Sequence, residues 1–238
     1  MTAIGSTLYW LFVTVVAAVM FPIAVVVWAV TAPLDRRRRV LHRFTTLWAA
    51  LYTWANPLWR VEVRGREHLH DDRVYVMVAN HLSLVDIFVL YRIWAHFKWV
   101  SKIENFRLPF IGWNMRLNGY VPLRRGDRES VVAMLAQCRT LLREGSSIMM
   151  FPEGTRSKTG ELKPFKPGAF ELACEAGVPV LPIAVAGTFE ALPKHGFAIG
   201  PARLRVTVLP AIESAELSPA ALSERAHAAI AAANTAQA

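Results

Sequence analysis

The sequence predicts an α/β protein. The expected architecture is a layered domain with a largely buried mixed sheet flanked by helices, preceded by a helical amino terminus directed at a membrane. Three observations predict it. From about residue 60 onward, short runs rich in β-branched residues alternate with longer runs of helical period, the pattern of a layered α/β domain. At 238 residues the chain is long enough to bury one sizeable core. Residues 1–34 carry no charged side chain, which sets them apart from everything that follows. The expected division is 1–58 for the helical segment and 59–238 for the α/β domain.

The first helix is expected over residues 8–30, an apolar stretch of 23 residues interrupted only by Thr14 and Pro22. As a helix it would be about 34 Å long, against a hydrocarbon core of about 30 Å. It does not read as a cleaved signal peptide, because residues 1–6 hold no basic side chain and the stretch is long for an h-region. A second helix follows Ala32-Pro33, where Val40, Leu41, Phe44, Leu47, Trp48, Leu51 and Tyr52 recur at helical spacing. Trp48, Tyr52, Trp54 and Trp59 are amphipathic aromatics favoured at headgroup depth, so this helix is expected at the membrane interface. Packing on the protein's own core is the alternative.

Strands are then expected at 61–63, 74–79, 98–101, 147–151, 179–185 and 203–209. Helices are expected at 84–95, 127–144 (with Gly145 as a stop signal), 168–176 and 218–233.

Net charge is +9, and its placement says more than its size. Residues 35–66 carry eight arginines against Asp35 and Glu62, a local excess of +6. Nucleic acid is the usual partner of a basic chain, but these arginines adjoin apolar sequence rather than stacking aromatics on a polar sheet. An anionic membrane surface fits better, and the run Arg36 to Arg39 is expected on the cytoplasmic side. Cys138 and Cys174 sit among Ala and Leu in helical patterns and read as small core residues. No Cys/His cluster has metal-ligand spacing.

Two motifs carry chemistry. The first is Asn80-His81-Leu82-Ser83-Leu84-Val85-Asp86, between an expected strand and an expected helix. Five positions on an ideal helix turn about 500°, or roughly 140° around the axis. His81 and Asp86 therefore meet only if His81 lies in the turn and Asp86 in the helix's first turn. Ser83 and Asp86 also fit a capping box, with Asp in place of Glu, and the two readings are compatible. The second motif is Phe151-Pro152-Glu153-Gly154-Thr155-Arg156-Ser157. Pro-Glu-Gly-Thr is ordinary turn chemistry. A guanidinium at a strand's carboxyl end, beside free backbone N–H groups, is suited to phosphate.

Taken together, these residues resemble the glycerolipid acyltransferase family, lysophosphatidic acid acyltransferases among them. Four blocks occur in the family's order: Asn80-His81 with Asp86, Gly119 to Arg125, Phe151 to Arg156, and Val178 to Ala184. Ser101-Lys102 and the segment from Pro109 to Trp113 also look like the family. The resemblance covers roughly residues 60–210, with one departure at Pro122, where the family usually has an aromatic residue. It implies a membrane-embedded helical pair ahead of the catalytic domain. The implied reaction moves an acyl group from a thioester to the sn-2 hydroxyl of lysophosphatidic acid, giving phosphatidic acid in phospholipid biosynthesis. His81 would act as general base, with Asp86 holding its tautomer. Lys102, Arg125 and Arg156 would bind the acceptor phosphate, and Glu153, Gly154 and Thr155 would complete the substrate site, Glu153 by positioning the glycerol or by supporting the turn. Each cation alone could be an ordinary surface charge. No metal or cofactor is implied; acyl-CoA or acyl carrier protein would be the co-substrate. The expected partners are membrane lipids and the lysophospholipid, with no nucleic acid, at the cytoplasmic face of the inner membrane. Another acceptor, such as glycerol 3-phosphate, a lyso-ornithine lipid or another lysophospholipid, is the nearest alternative. A non-catalytic lipid-binding protein is the more distant one.

Overall fold

The structure is a computed structural model and describes residues 2–236. Seven strands form one sheet: β1 (Trp59–Arg64), β2 (Val76–Ala79), β3 (Phe97–Lys102), β4 (Val121–Leu123), β5 (Ser147–Met150), β6 (Val180–Ala186) and β7 (Ala202–Val208). Their order is β1-β7-β6-β2-β5-β3-β4. The β6–β7 pairing is antiparallel and the other pairings between named strands are parallel, so the sheet is mixed. The central strands β2, β5 and β6 are apolar apart from Ser147 and buried apart from Ala186, as strands covered on both faces must be.

Two cores flank the sheet. On one face Met77, Met149, Leu181 and Ile183 pack with residues of α1 (Ala3–Thr31), α2 (Arg39–Trp54) and α3 (Val85–Leu90). On the other, Val76, Val78, Ile148 and Val180 pack with α5 (Arg128–Arg143), α6 (Gly168–Ala176) and α8 (Pro219–Thr235). Short helices α4 (Ile111–Leu117) and α7 (Thr188–Ala191) complete the chain. Asp127 caps α5 by accepting from Ser130 N, and Ser218 caps α8 by accepting from Ala221 N.

Two expectations are corrected and one gap is filled. The helix expected over 84–95 ends at Leu90 and passes into a 3-10 turn over Tyr91–Ile93, which Trp94 closes in the left-handed region at φ 62°. The short strand β4 and the helix α4 lie in a stretch to which the sequence assigned no element; Pro122 is tolerated because β4 is an edge strand. Most consequentially, three of the four aromatics expected at headgroup depth are interior. Trp48, Tyr52 and Trp59 are 3%, 3% and 6% exposed. Their polar atoms find partners there: Trp48 Nε1 donates to Tyr52 Oη (2.7 Å) and Trp59 Nε1 to Gly200 O (3.0 Å). Tyr52 Oη also donates to Val13 O, while Tyr9 Oη donates to Tyr52 O (2.7 Å). Of the four, Trp54 alone is exposed.

The outer surface of α1 is apolar instead. Ile4, Leu8, Leu11, Val15, Val19, Ile23, Val26 and Val30 are exposed and recur every three or four residues, one continuous stripe. The opposite stripe, Tyr9, Val13, Ala17 and Ala24, is buried. The helix runs unbroken through Pro22 and is long and apolar enough to cross a membrane. Two segments with exposed apolar side chains adjoin it. Trp113 packs on Phe21 (5.3 Å between rings), and Phe197 accepts a hydrogen bond from Trp10 Nε1 at its carbonyl.

Candidate active site

The site is built where β2, β5 and β6 end. Asn80 follows β2 and closes the ladder to β6 with its side chain: Nδ2 donates to Val185 O and Oδ1 accepts from Val185 N, both at 2.8 Å. This fixes the backbone immediately before His81. Glu153 Oε1 then accepts from His81 N (2.6 Å), and His81 O accepts from Ser157 N (2.8 Å). The two motifs, about seventy residues apart in sequence, are thus joined through the histidine's own backbone.

The His81 ring lies flat on Phe151, with centroids 3.8 Å apart and planes 8° from parallel. Its Nδ1 is 2.7 Å from Asp86 Oδ2. The same oxygen accepts from Leu82 N (2.7 Å) and Ser83 N (2.8 Å), and Asp86 is fully buried. A carboxylate taking three donors favours Nδ1–H on the imidazole and leaves Nε2 as the basic nitrogen. Nε2 makes no hydrogen bond among the described residues, and His81 lines a groove of about 250 Å³. The helix is capped at Leu84 without a side-chain bond, but Asp86 Oδ2 still braces the preceding turn through Leu82 N and Ser83 N, so the structural and chemical readings of this motif coexist.

Ser83 is differently engaged. Its Oγ donates to Leu192 O (2.6 Å) and accepts from Val85 N (3.2 Å), and the residue is fully buried. A hydroxyl held in this way is not a poised nucleophile.

The groove wall is mostly apolar, with Trp10 and Val13 of α1, Trp48 of α2 and Phe88 of α3 joined by Trp99 of β3 and Ile111 of α4. Lys102 and Arg125 also line it, so cations border an otherwise apolar wall. Lys102 Nζ is 3.4 Å from Glu104, at the solvent-exposed end of β3. Burial lowers the pKa of Arg125 from its ordinary value; Glu104 opposes this and nearby Arg156 adds to it. The Arg156 guanidinium makes no hydrogen bond or ion pair among the described residues.

The turn between these groups is built by local necessity. Gly154 adopts φ +74°, and a Cβ there would meet the Lys166 side chain at 3.0 Å. Glu153 was expected either to position the glycerol or to support the turn. Its oxygens accept from backbone, Oε1 from His81 N and Oε2 from Lys163 N (3.2 Å), and so brace the turn. Burial pushes its carboxyl up to about 7, against the opposing pull of those two hydrogen bonds. Thr155 is held by two lysines, its carbonyl accepting from Lys163 Nζ (3.1 Å) and its Oγ1 from Lys194 Nζ (3.4 Å). Sequence reasoning missed Asn80 as a backbone clasp, Phe151 as the platform under His81, and Lys194 altogether. Phe151 had a signal, ending an expected strand and opening the second motif. Lys194 had none.

An imidazole oriented by a buried carboxylate, open on its second nitrogen to an apolar groove edged by cations, is equipped to deprotonate a hydroxyl on an amphiphilic anion. Residues 60–186 match the family model described as Acyltransferase, more than half of the chain, and the protein belongs to that family. Among its relatives, the chloroplastic 1-acyl-sn-glycerol-3-phosphate acyltransferase BAT2 of Brassica napus is 44% identical over 161 residues, covering 67% of this chain and 46% of that protein. The chloroplastic LPAT1 of Arabidopsis thaliana, another 1-acyl-sn-glycerol-3-phosphate acyltransferase, is 39% identical over 196 residues, or 80% and 54%. This chain therefore spans about half the length of those relatives. The crystal structure of the 1-acyl-sn-glycerophosphate acyltransferase PlsC from Thermotoga maritima superposes with a TM-score of 0.81 at 25% identity, covering 100% of this chain and 98% of that one.

Proposed function

We propose that this protein transfers a fatty acyl group from a thioester donor to the sn-2 hydroxyl of lysophosphatidic acid, forming phosphatidic acid in phospholipid biosynthesis. The observation that carries the reading is the 2.7 Å contact between His81 Nδ1 and Asp86 Oδ2, with Nε2 left open beside the cation-edged groove. The family and the activities named for its relatives support it.

In this mechanism His81 Nε2 takes the proton of the acceptor hydroxyl as its oxygen attacks the thioester carbonyl. The imidazolium formed is stabilised by Asp86 and returns the proton to the departing thiolate. The acceptor attacks directly, consistent with the engagement of Ser83 Oγ elsewhere. Lys102, Arg125 and Arg156 bind the acceptor phosphate, and Gly154 and Thr155 shape the turn that presents Arg156. The donor is acyl-CoA or acyl carrier protein, and no cofactor takes part.

Residues 1–58 serve as the membrane-attached unit and 59–238 as the catalytic one. The apolar stripe of α1 enters the acyl-chain region. Arg36 to Arg39 meet anionic headgroups from the cytoplasmic side of the inner membrane.

The test is a lipid-product assay with purified protein across lysophosphatidic acid, glycerol 3-phosphate, a lyso-ornithine lipid and other lysophospholipids, each with both donor types. Phosphatidic acid as the dominant product is expected. Preferential acylation of a phosphate-free acceptor would overturn the assignment.

A further inference from the structure

The cations near the site extend beyond the three assigned above. Lys194 stands in the turn after α7, far in sequence from both motifs, yet it is built into them. Ser83, inside the first motif, donates its buried hydroxyl to Leu192 O, two residues before Lys194. On its other side Trp10 of α1 donates to Phe197 O. Between these anchors the chain turns, with Gly196 N donating to Pro193 O (2.8 Å) and His195 at φ 67°. The ammonium so placed donates to Thr155 Oγ1 (3.4 Å) and Arg156 O (3.3 Å), both in the second motif.

The environment of that ammonium is one-sided. Lys194 has no carboxylate partner among the described residues, and the charges it feels are Lys158, Lys163, Arg156 and Arg125. A lysine used only to fasten a turn gains nothing from four neighbouring cations. Like charges gathered on a scaffold fixed at both ends are stabilised by an anion that several of them share.

Resting on the function proposed above, we infer that Lys194 is a substrate-binding residue that holds a phosphate ester together with Arg125 and Arg156. A phosphate ester is present on the acceptor and also on the pantetheine arm of either donor, so the chemistry is common to both and the kinetics separate them.

The test uses the full-length protein in detergent micelles with Lys194→Gln and Lys194→Arg. Gln keeps a hydrogen-bond donor for Thr155 and Arg156 but removes the charge; Arg keeps both. Lys194→Gln is expected to raise one Michaelis constant by about tenfold to hundredfold at nearly unchanged kcat. Lys194→Arg is expected to restore most of it, with all three proteins melting together. A rise in the constant for lysophosphatidic acid assigns the acceptor phosphate; a rise in that for the thioester assigns the donor. Wild-type constants for both substrates in Lys194→Gln would overturn the inference, as would a loss that tracks melting temperature. If Arg156→Ala raises the acceptor constant in the same series while Lys194→Gln raises neither constant, this inference alone falls. No transfer to any phosphorylated acceptor by the wild-type protein would remove it together with the proposed function.

Discussion

Asp86 concentrates more interactions on one atom than any other side chain of the site. Its Oδ2 accepts from His81 Nδ1, Leu82 N and Ser83 N, so Asp86→Asn weakens a turn and an imidazolium partner together. Turnover is expected to fall by about tenfold or more, and stability by about 2 kcal/mol, since hydrogen bonds to a charged group are the stronger kind. The two losses separate in the His81→Ala background, where Asp86→Asn should cost stability but no further turnover. Glu153 gives a pH signature. Its carboxyl binds a proton more tightly in the folded chain, where it titrates at about 7, than in the unfolded one. The stability it contributes is therefore present on the acid side and is lost as pH rises from its ordinary value of 4.5 through about 7. Melting temperature should fall more steeply between about pH 5 and pH 8 in the wild type than in Glu153→Gln. An equal slope in both proteins would contradict the burial argument. His81 and Asp86 were legible in the sequence because a turn and one helical turn bring them together locally. Lys194 was not, because its 3.3 Å contact with Arg156 O spans 38 positions and no local pattern marks it.

At the scale of elements, the strands and long helices were legible from β-branched runs and helical periodicity. The exceptions have physical causes. Tyr91, Ile93 and Trp94 continue an apolar pattern while the backbone has already left the helix, which periodicity cannot register. Pro122 interrupts the β-branched pattern of the edge strand β4, and Pro109 with Gly112 leaves the start of α4 without a helical signal, so neither element was assigned. The α2 aromatics were misplaced because indole and phenol suit a membrane interface and a hydrogen-bonded interior equally well. The difference is measurable. Trp48→Ala should cost about 3–5 kcal/mol of stability in detergent solution, as removal of a buried indole does. Trp54→Ala, at an exposed position, should stay within about 0.5 kcal/mol. Comparable melting temperatures for the two variants would return Trp48 to the surface.

For the whole molecule, α1 is both a wall of the groove and the most apolar exposed surface. Trp10 and Val13 line the groove, whereas Val15 and Val19 point outward. Removing the helix would open the core along Tyr9, Val13 and Ala17, so point charges test attachment more cleanly. Val15→Glu with Val19→Glu should abolish co-flotation with liposomes and lower activity on bilayer substrate. Melting temperature and activity in detergent should be largely kept. Unchanged flotation in high salt would show that the stripe is not the attachment surface. The central claim is that His81 Nε2 removes the acceptor's proton. The most direct measurement is the rate of phosphatidic acid formation from lysophosphatidic acid by purified His81→Ala in detergent micelles, alongside its melting temperature. The claim predicts a loss of about 10²–10⁴-fold or more with the fold intact. Near-normal turnover in a folded variant would contradict it.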